Sequence, residues 1–167
     1  PRFKIDLTGY AGTIETCDAT PRSSDGQLLF LMEMVDKMRR LKDSPAGSRI
    51  ASVHNGSSLF TGDAGGGESN IRRHLIENDM VEAIIQLPNN LFYNTGITTY
   101  IWVVTNNKPT HRQGKVQLIN ASEMFTKRRK NLGEKNCDLA DEHINTITDL
   151  FIQGLRQCGF RVSQGHR

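Results

Sequence analysis

The sequence has few cysteines and lacks any long apolar run. Its three cysteines, Cys17, Cys137 and Cys158, are odd in number, far apart and outside any C-x-x-C pair, so they do not indicate a disulfide framework or a zinc site. The longest apolar stretches, Leu28 to Met32 and Ile101 to Val104, fall far short of the roughly 20 residues that span a bilayer. No basic-then-apolar leader opens the chain. We therefore expect a cytoplasmic protein with reduced thiols, no metal and no membrane segment.

A strong excess of charge of one sign is also missing. Lys and Arg total 21 against 18 Asp and Glu, which gives a net charge of +3. An excess this small does not by itself indicate a nucleic acid or an anionic membrane as partner. The 167 residues, 37% hydrophobic and 23% charged, are typical of a single globular domain. Composition therefore leaves the function to be argued from local motifs.

Hydrophobic periodicity predicts seven elements after an irregular lead-in. Apolar residues spaced near 3.6 predict helices over 27–42 and 69–78, and a last helix carries Ile144, Ile147 and Phe151. Runs rich in β-branched residues predict strands at 49–54, 81–87, 98–105 and 115–120. Helices and strands that alternate before a terminal strand pair predict part of an open α/β sheet with an antiparallel edge hairpin. The predicted elements make up only one half of such a sheet. An open α/β sheet binds its ligand where its two halves meet, so much of any cofactor site would lie in the half that this sequence does not contain.

We divide the chain into four parts on this basis. An irregular lead-in covers 1–24, the sheet region 25–120, a basic segment with a helix 121–152, and an unassigned tail 153–167. The middle two parts contain the stretches that resemble a known protein family. These are DGQLLFLMEMVDKM, the block from residue 51 to residue 108, KVQLINAS, and KRRKNLGEKN followed by ADEHI. Together these stretches resemble the methylation (modification) subunit of type I restriction-modification systems, an adenine-specific DNA N6-methyltransferase.

The resemblance implies a fold, a cofactor and partners. The fold is the S-adenosylmethionine-dependent methyltransferase (Rossmann-like) fold, of which this chain would be the carboxy-terminal half of the sheet. The cofactor of the parent protein is S-adenosyl-L-methionine, the substrate is adenine N6 in DNA, and the partners are specificity and restriction subunits.

Two motifs that the resemblance implies are absent from this sequence. The family has a glycine-rich strand-loop that holds S-adenosylmethionine and an Asn-Pro-Pro-aromatic tetrapeptide that holds the target amine, yet no two of the five prolines here are adjacent. The order of motifs in the family places both before residue 1. We therefore expect a fragment that is inactive alone. A noncatalytic nucleic-acid or subunit-binding module and a piece that does not fold independently are the alternatives.

Two aromatic residues stand in the polar connector between the predicted strands at 81–87 and 98–105. A DNA methyltransferase must extrude its target base, and an aromatic ring then replaces the lost stacking, worth roughly 1 to 3 kcal/mol per base. The resemblance implies that Phe92 or Tyr93 stacks on the flipped base, while packing at the sheet edge is the alternative. Asn94, Thr95 and Gly96 would shape the turn, and DNA contact by these three stays open.

A glycine-rich loop precedes the second predicted helix and contains Gly62, Asp63, Gly65, Gly66 and Gly67. Glycines before a helix start can direct backbone N–H groups at a phosphate. However, no Gly-Lys-Ser/Thr follows, and Glu68 places a negative charge at the mouth of the loop, which argues against a nucleoside triphosphate site. The resemblance implies instead a mobile loop that borders the cofactor and DNA cleft.

Four consecutive cations form a basic run: Lys127, Arg128, Arg129 and Lys130. Further cations stand nearby at Arg112, Lys115 and Lys135. Such a run is usually a solvated face. Contact with DNA phosphates is the functional alternative and would make binding fall steeply with salt. Contact with a partner subunit is the third. The isolated histidines at 54, 74, 111 and 143 are interpreted as structural or surface residues.

Overall fold

A five-stranded mixed sheet organises the chain in the computed structural model, which describes residues 3–9, 12–154 and the backbone of 160–161. The strands are β1 (Lys4–Thr8), β2 (Ile14–Asp18), β3 (Arg49–Asn55), β4 (Val81–Gln86), β5 (Thr99–Thr105), β6 (Lys115–Asn120), β7 (Thr126–Leu132), β8 (Lys135–Asp138) and β9 (Phe160–Arg161). The helices are α1 (Gln27–Asp36), α2 (Ser57–Phe60), α3 (Gly67–Glu77) and α4 (Asp141–Gln153). Within these residues no helix is both long and apolar enough to span a membrane.

The main sheet has the strand order β3-β5-β4-β6-β9. β5 is antiparallel to both of its neighbours and β4 is parallel to β6, so β3, β4 and β6 run in one direction. Their carboxyl ends therefore lie at one edge of the sheet, which also holds the amino end of β5. The predicted α/β class is confirmed. The antiparallel hairpin is present as β4–β5, but it is not at the edge as predicted, because β5 lies between β3 and β4.

Each face of this sheet supports a hydrophobic core. Neighbouring residues of β5 point to opposite faces, as strand geometry requires. Trp102 and Val104 pack with the β1–β2 hairpin, α1 and α3, whereas Val103 packs with β4, β6 and α4 through Ile147. The four strands predicted between residues 49 and 120 and the last helix are thus confirmed, because each contributes apolar residues to one of these cores.

The prediction of an irregular lead-in over residues 1–24 is wrong, because this segment contains two paired strands. β1 and β2 form an antiparallel hairpin in which Ile5 pairs with Cys17. Ile5 and Leu7 are buried and belong to the same core cluster as Ile71 of α3. The hairpin escaped prediction because β2 is almost wholly exposed and has no apolar periodicity.

Helix boundaries differ from prediction at three places. α1 ends at Asp36 instead of Lys42, since the backbone beyond it bonds to other loops: Arg39 N–H donates to Ser48 Oγ (2.9 Å) and Arg39 C=O accepts from Asn106 Nδ2 (2.8 Å). α3 begins at Gly67 and not at Ser69, and the predicted loop before it contains the short helix α2. In each case tertiary hydrogen bonds or packing decide the boundary, and local propensity does not.

The segment 121–152 contains an unpredicted β7–β8 hairpin before α4. The pairing includes Lys127 with Cys137, so the basic run lies in a strand. Of the tail from residue 153, the structure describes the end of α4 and the short strand β9. The remaining tail residues, Cys158 among them, lie outside the described residues.

A buried ion cluster at β4 contains Arg112, one of the cations that lie near the basic run in the sequence. Glu82 and Arg112 are both buried, with Arg112 Nε 3.6 Å from Glu82 Oε1, and Arg49 Nε donates to Glu82 Oε2 at 2.8 Å. Arg112 Nη1 also donates to Gln117 Oε1 at 3.0 Å. Arg112 is therefore a structural cation and not part of a DNA-facing patch, because burial beside a carboxylate leaves it no access to phosphate.

Candidate functional site

The carboxyl edge of the main sheet gathers the loops that carry the predicted site residues. The segment between β3 and α3, the connector between β4 and β5 (residues 87–98, the aromatic connector) and the turn after β6 all leave strands at this edge. Register pairs such as Asn55 with Thr99 and Gln86 with Asn120 fix these loops side by side. Ligands of open α/β sheets bind at this edge.

The aromatic connector presents its two rings to solvent. Leu87, Pro88 and Leu91 are buried and anchor the connector to the sheet, whereas Phe92 is 40% and Tyr93 66% exposed. Exposed aromatic rings beside a ligand-binding edge offer flat apolar surfaces on which another ring can stack.

Left-handed backbone shapes the connector on both sides of the two rings. Asn90 and Asn94 have φ values of 56° and 53°, a conformation that asparagine tolerates better than most residues. Thr95 Oγ1 accepts a hydrogen bond from the Ile97 N–H at 3.4 Å. Asn94 and Gly96 are exposed. These contacts account for the turn residues as turn formers and leave their polar groups within reach of a ligand.

The β7–β8 hairpin lies against this connector. Hydrogen bonds join the two, and most of them use the main chain of the connector: Lys135 Nζ to Leu91 O (2.7 Å), Asn136 N to Asn90 O (3.1 Å), Cys137 Sγ to Asn89 O (3.3 Å), and Asn90 Nδ2 to Glu134 O (3.0 Å). The basic run and the exposed rings therefore occupy adjoining surfaces, a proximity that the sequence separation concealed.

The four cations of the basic run are not equivalent. Arg128 is half-buried and bonds to Asp138, which also accepts from Lys135 at a distance of 2.8 Å. The hydrogen bond from Lys135, followed by that from Arg128, holds the pKa of Asp138 below its ordinary value. Lys127, Arg129 and Lys130 are exposed, and within the described residues the salt bridges include none of them. These three are the cations available to an external anion.

Protein groups occupy one end of the glycine-rich loop. Gly62, Asp63 and Gly65 are exposed, while a side chain on Gly67 would overlap the backbone carbonyl of Thr20. Glu68 occupies the start of α3: its Oε1 accepts from the Arg22 N–H at 3.0 Å, which lowers the pKa of its carboxyl. Protein groups thus fill the space close to Gly66 and Gly67.

A polar network at the carboxyl end of β3 was missed by sequence reasoning. Gln27 Nε2 donates to Asn55 Oδ1 (2.7 Å) and Ser57 Oγ (2.6 Å), and the Asn55 N–H donates to Gln27 Oε1 (2.9 Å). Asp25 bonds to Ser57 and Gln27. Burial opposes ionisation of Asp25, but these hydrogen bonds outweigh it and lower its pKa. The network fixes the start of α1 to the sheet edge.

His54 supports this end of β3 from the core. Its ring is buried edge-on to Trp102, with centroids 6.2 Å apart, and its Nε2 has no hydrogen-bond partner among the described residues. Burial lowers the pKa of His54, against the charge of Asp25. A buried neutral imidazole is a packing residue and agrees with the structural interpretation of the sequence.

Comparison with known proteins decides the family. The model of the N-6 DNA Methylase family matches residues 12–163, nearly the whole chain. The chain belongs to the N-6 DNA Methylase family. Both aromatic residues, the glycine-rich loop and the basic run lie inside the matched range, so the family assignment covers the whole candidate site. The predicted family is thereby confirmed.

Curated members of the N-6 DNA methylases include close relatives of this chain. The type I restriction enzyme MjaVII methylase subunit of Methanocaldococcus jannaschii is 42% identical over 98 residues, covering 56% of this chain and 16% of the relative. The HindI methylase subunit of Haemophilus influenzae is 33% identical over 106 residues, covering 63% and 21%. This chain therefore spans only about a fifth or less of the length of these N-6 DNA methylases.

Solved structures of N-6 DNA methylases share the fold. The type I restriction-modification methyltransferase subunit from Streptococcus thermophilus superposes with a TM-score of 0.65 at 25% identity, covering 80% of this chain and 25% of that subunit. A modification subunit of a putative type I restriction enzyme from Vibrio vulnificus gives a TM-score of 0.60 at 17% identity, covering 80% of this chain and 26% of that subunit. The methyltransferase fold predicted from the sequence is confirmed, in part of its length.

Proposed function

We propose that this chain is part of a type I methylase subunit that transfers a methyl group from S-adenosylmethionine to adenine N6 in DNA. Family membership supports the reaction class, and the names of the relatives support the type I system. In this proposal specificity and restriction subunits are the partners, DNA is the substrate and the location is cytoplasmic. S-adenosylmethionine supplies the methyl group, held mainly by motifs of the parent protein that this sequence lacks.

The chain's own contribution is one wall of the pocket for the everted base. The single observation that carries this role is the exposure of Phe92 and Tyr93 beside the ligand-binding edge of the sheet. An extruded adenine loses its neighbours in the duplex, and a flat ring in the connector restores part of that stacking. One of the two rings has this role in our proposal. Asn94, Thr95 and Gly96 hold the turn open next to it.

The basic run would contact DNA phosphates next to this pocket. Lys127, Arg129 and Lys130 are exposed cations on the hairpin that lies against the connector. Cations that displace condensed counterions strengthen binding without reading sequence. Target recognition would then belong to a separate specificity subunit.

The stacking role is tested in the complete methylase subunit assembled with its specificity subunit. Single-turnover methylation is measured at saturating DNA and S-adenosylmethionine for Phe92→Ala and Tyr93→Ala, with Ile97→Ala as the matched control, since Ile97 is exposed, apolar and in the same connector. Loss of a stacking worth roughly 1 to 3 kcal/mol lowers the rate roughly 5- to 150-fold in one of the two variants.

A second substrate separates stacking from general damage. Placing the target adenine opposite an abasic site lowers the cost of extrusion, so the stacking variant recovers most of its rate on this DNA. Equal rates for both aromatic variants and the Ile97→Ala control on paired DNA would refute the stacking role. If no methylation of DNA occurs with the unaltered subunit complex, the proposed reaction itself is wrong.

A noncatalytic nucleic-acid or subunit-binding module is the competing function. Its supporting observation is the exposure of Lys127, Arg129 and Lys130, cations that suit a nucleic acid or an acidic partner surface. Calorimetric titration of the complete subunit with S-adenosylmethionine distinguishes the two, because only the methyltransferase binds the cofactor. DNA titrations at two salt concentrations then show whether the basic run contacts phosphates.

A further inference from the structure

The backbone that carries Phe92 is held from outside the connector. Lys135 Nζ donates to the carbonyl of Leu91, the residue immediately before Phe92, at 2.7 Å. The side chain of Lys135 is only 20% exposed and its ammonium also bonds to Asp138. Lys135 is thus directed into the protein, in contrast to the exposed cations of β7 on the same hairpin. A charge-assisted hydrogen bond to a carbonyl restrains the backbone more strongly than a neutral one.

The tip of the hairpin supports the second ring. Gly133 has a φ of 59° and lies in the β7–β8 turn. A Cβ on Gly133 would overlap Oδ1 of Asn94 and would lie 3.2 Å from Cε2 of Tyr93. Only a residue without a side chain allows this approach. The hairpin therefore contacts the connector both before Phe92 and beside Tyr93.

We propose that Lys135 and Gly133 are positioning residues for the base-stacking ring. The β7–β8 hairpin holds the aromatic connector at a fixed place relative to the exposed cations of β7. Phosphate contact and the seating of the everted base are then performed by one rigid unit. This proposal rests on the proposed function, because it assumes that Phe92 or Tyr93 stacks on the target adenine.

Substitution of Lys135 tests the positioning role in the complete subunit with its specificity subunit. Lys135→Met keeps an unbranched side chain that ends one atom short of Nζ and removes the hydrogen bonds to Leu91 and Asp138, whereas Lys135→Arg keeps a donor. Displacement of a substrate-positioning group lowers the rate about 10- to 100-fold. We expect this loss on paired DNA for Lys135→Met, recovery on DNA with the target adenine opposite an abasic site, and partial rescue by Lys135→Arg.

Lys130→Met is the matched control on the same hairpin. Lys130 is exposed, so its loss weakens DNA binding and lowers the salt slope by about one without changing the ratio of rates on abasic and paired DNA. A raised ratio for Lys135→Met with an unchanged DNA affinity supports positioning. A Lys135→Met variant with the ratio of the unaltered protein overturns it.

Gly133→Ala gives an independent answer if Lys135→Met does not fold. Gly133 is exposed, so a methyl group added at its positive φ displaces the Asn94 side chain and crowds the Tyr93 ring without opening the core. We expect a raised ratio of rates for this variant as well, and an unchanged ratio would overturn the contact. If the aromatic variants raise the ratio and both hairpin variants do not, the positioning proposal fails while the proposed function stands.

Discussion

The guanidinium of Arg112 lies over the ring of Phe151, with Cζ 4.5 Å from the ring centroid. Arg112 therefore joins α4, which carries Phe151, to the carboxylate of Glu82 on β4. The cation is held between a ring on one side and a buried anion on the other. This arrangement ties the last helix to the centre of the sheet and makes Glu82 a point at which one substitution affects two elements.

Glu82→Ala is expected to destabilise the fold strongly. It leaves Arg112, which is 4% exposed, buried without its carboxylate, and breaking a buried pair in this way costs about 3 to 5 kcal/mol. Urea unfolding followed by circular dichroism measures the change. Glu123→Ala, at an exposed site, is the control and should stay within about 0.5 kcal/mol of the unaltered chain. Equal stability of the two variants would contradict the prediction.

His54 is expected to make stability fall in mild acid. Burial lowers the pKa of folded His54 below its ordinary value of 6.5, so the unfolded chain binds the proton first as pH falls. The contribution of neutral His54 to the free energy of unfolding is complete above pH 6.5. It is lost as the pH falls from there towards the pKa of the folded group. The free energy of unfolding is measured at pH 7.5 and at pH 5.5, about one unit either side of the ordinary histidine value.

The matched variants for this pH dependence are His54→Gln and His111→Gln. His111→Gln is the control because it replaces an exposed histidine outside the core. His54→Gln flattens the dependence, since the group that takes up the proton on unfolding is gone. The same slope in both variants would show that His54 does not contribute.

Salt dependence of DNA binding should separate the cations of β7. Removing one phosphate contact lowers the slope of log affinity against log salt by about one. We expect this for Lys127→Met, Arg129→Met and Lys130→Met in the complete subunit. Arg128→Met should change the slope less, because Asp138 already binds its guanidinium. A slope for Arg128→Met as low as those of the other three would contradict the predicted difference between Arg128 and the exposed cations.

Gly67→Ala is expected to loosen the start of α3. The new Cβ would overlap the carbonyl oxygen of Thr20, and forcing a methyl group into a filled space costs about 1 to 3 kcal/mol. Gly26→Ala is the control, since a Cβ there meets only Phe30 at 3.9 Å. The measurement is the difference in melting temperature between the two variants. A melting temperature of Gly67→Ala at or above that of the control contradicts the prediction.

Strongly periodic elements were predictable from the sequence. The strands β3 to β6 are rich in β-branched and aromatic residues, and the apolar face of α3 recurs at helical spacing, so local pattern and tertiary burial agree there. The two hairpins were not predictable. β2 and β7 are mostly exposed and bury almost no apolar side chains, so periodicity does not reveal them. Their hairpins are supported by contacts distant in sequence, such as those of Ile5 with α3 and of Lys135 with Leu91.

The candidate site was predictable only in outline. Phe92 and Tyr93 stood out because aromatic residues are unusual in a polar connector, and the structure leaves both exposed. The inward role of Lys135 was hidden, since its hydrogen bond to Leu91 links segments far apart in the chain. Arg112 was grouped with the external cations because sequence alone does not reveal the carboxylate of Glu82 beside it.

The placement of β5 between β3 and β4 sets an order of events during synthesis. Among the described residues β3 pairs with β5, which leaves the ribosome after α3 and β4. The adjacent strands β4 and β5 are able to form their hairpin first, since closing a short loop costs less entropy than closing a long one. Until Thr105 has emerged, nascent β3 lacks the strand that pairs with it among the described residues, and its edge is open to association.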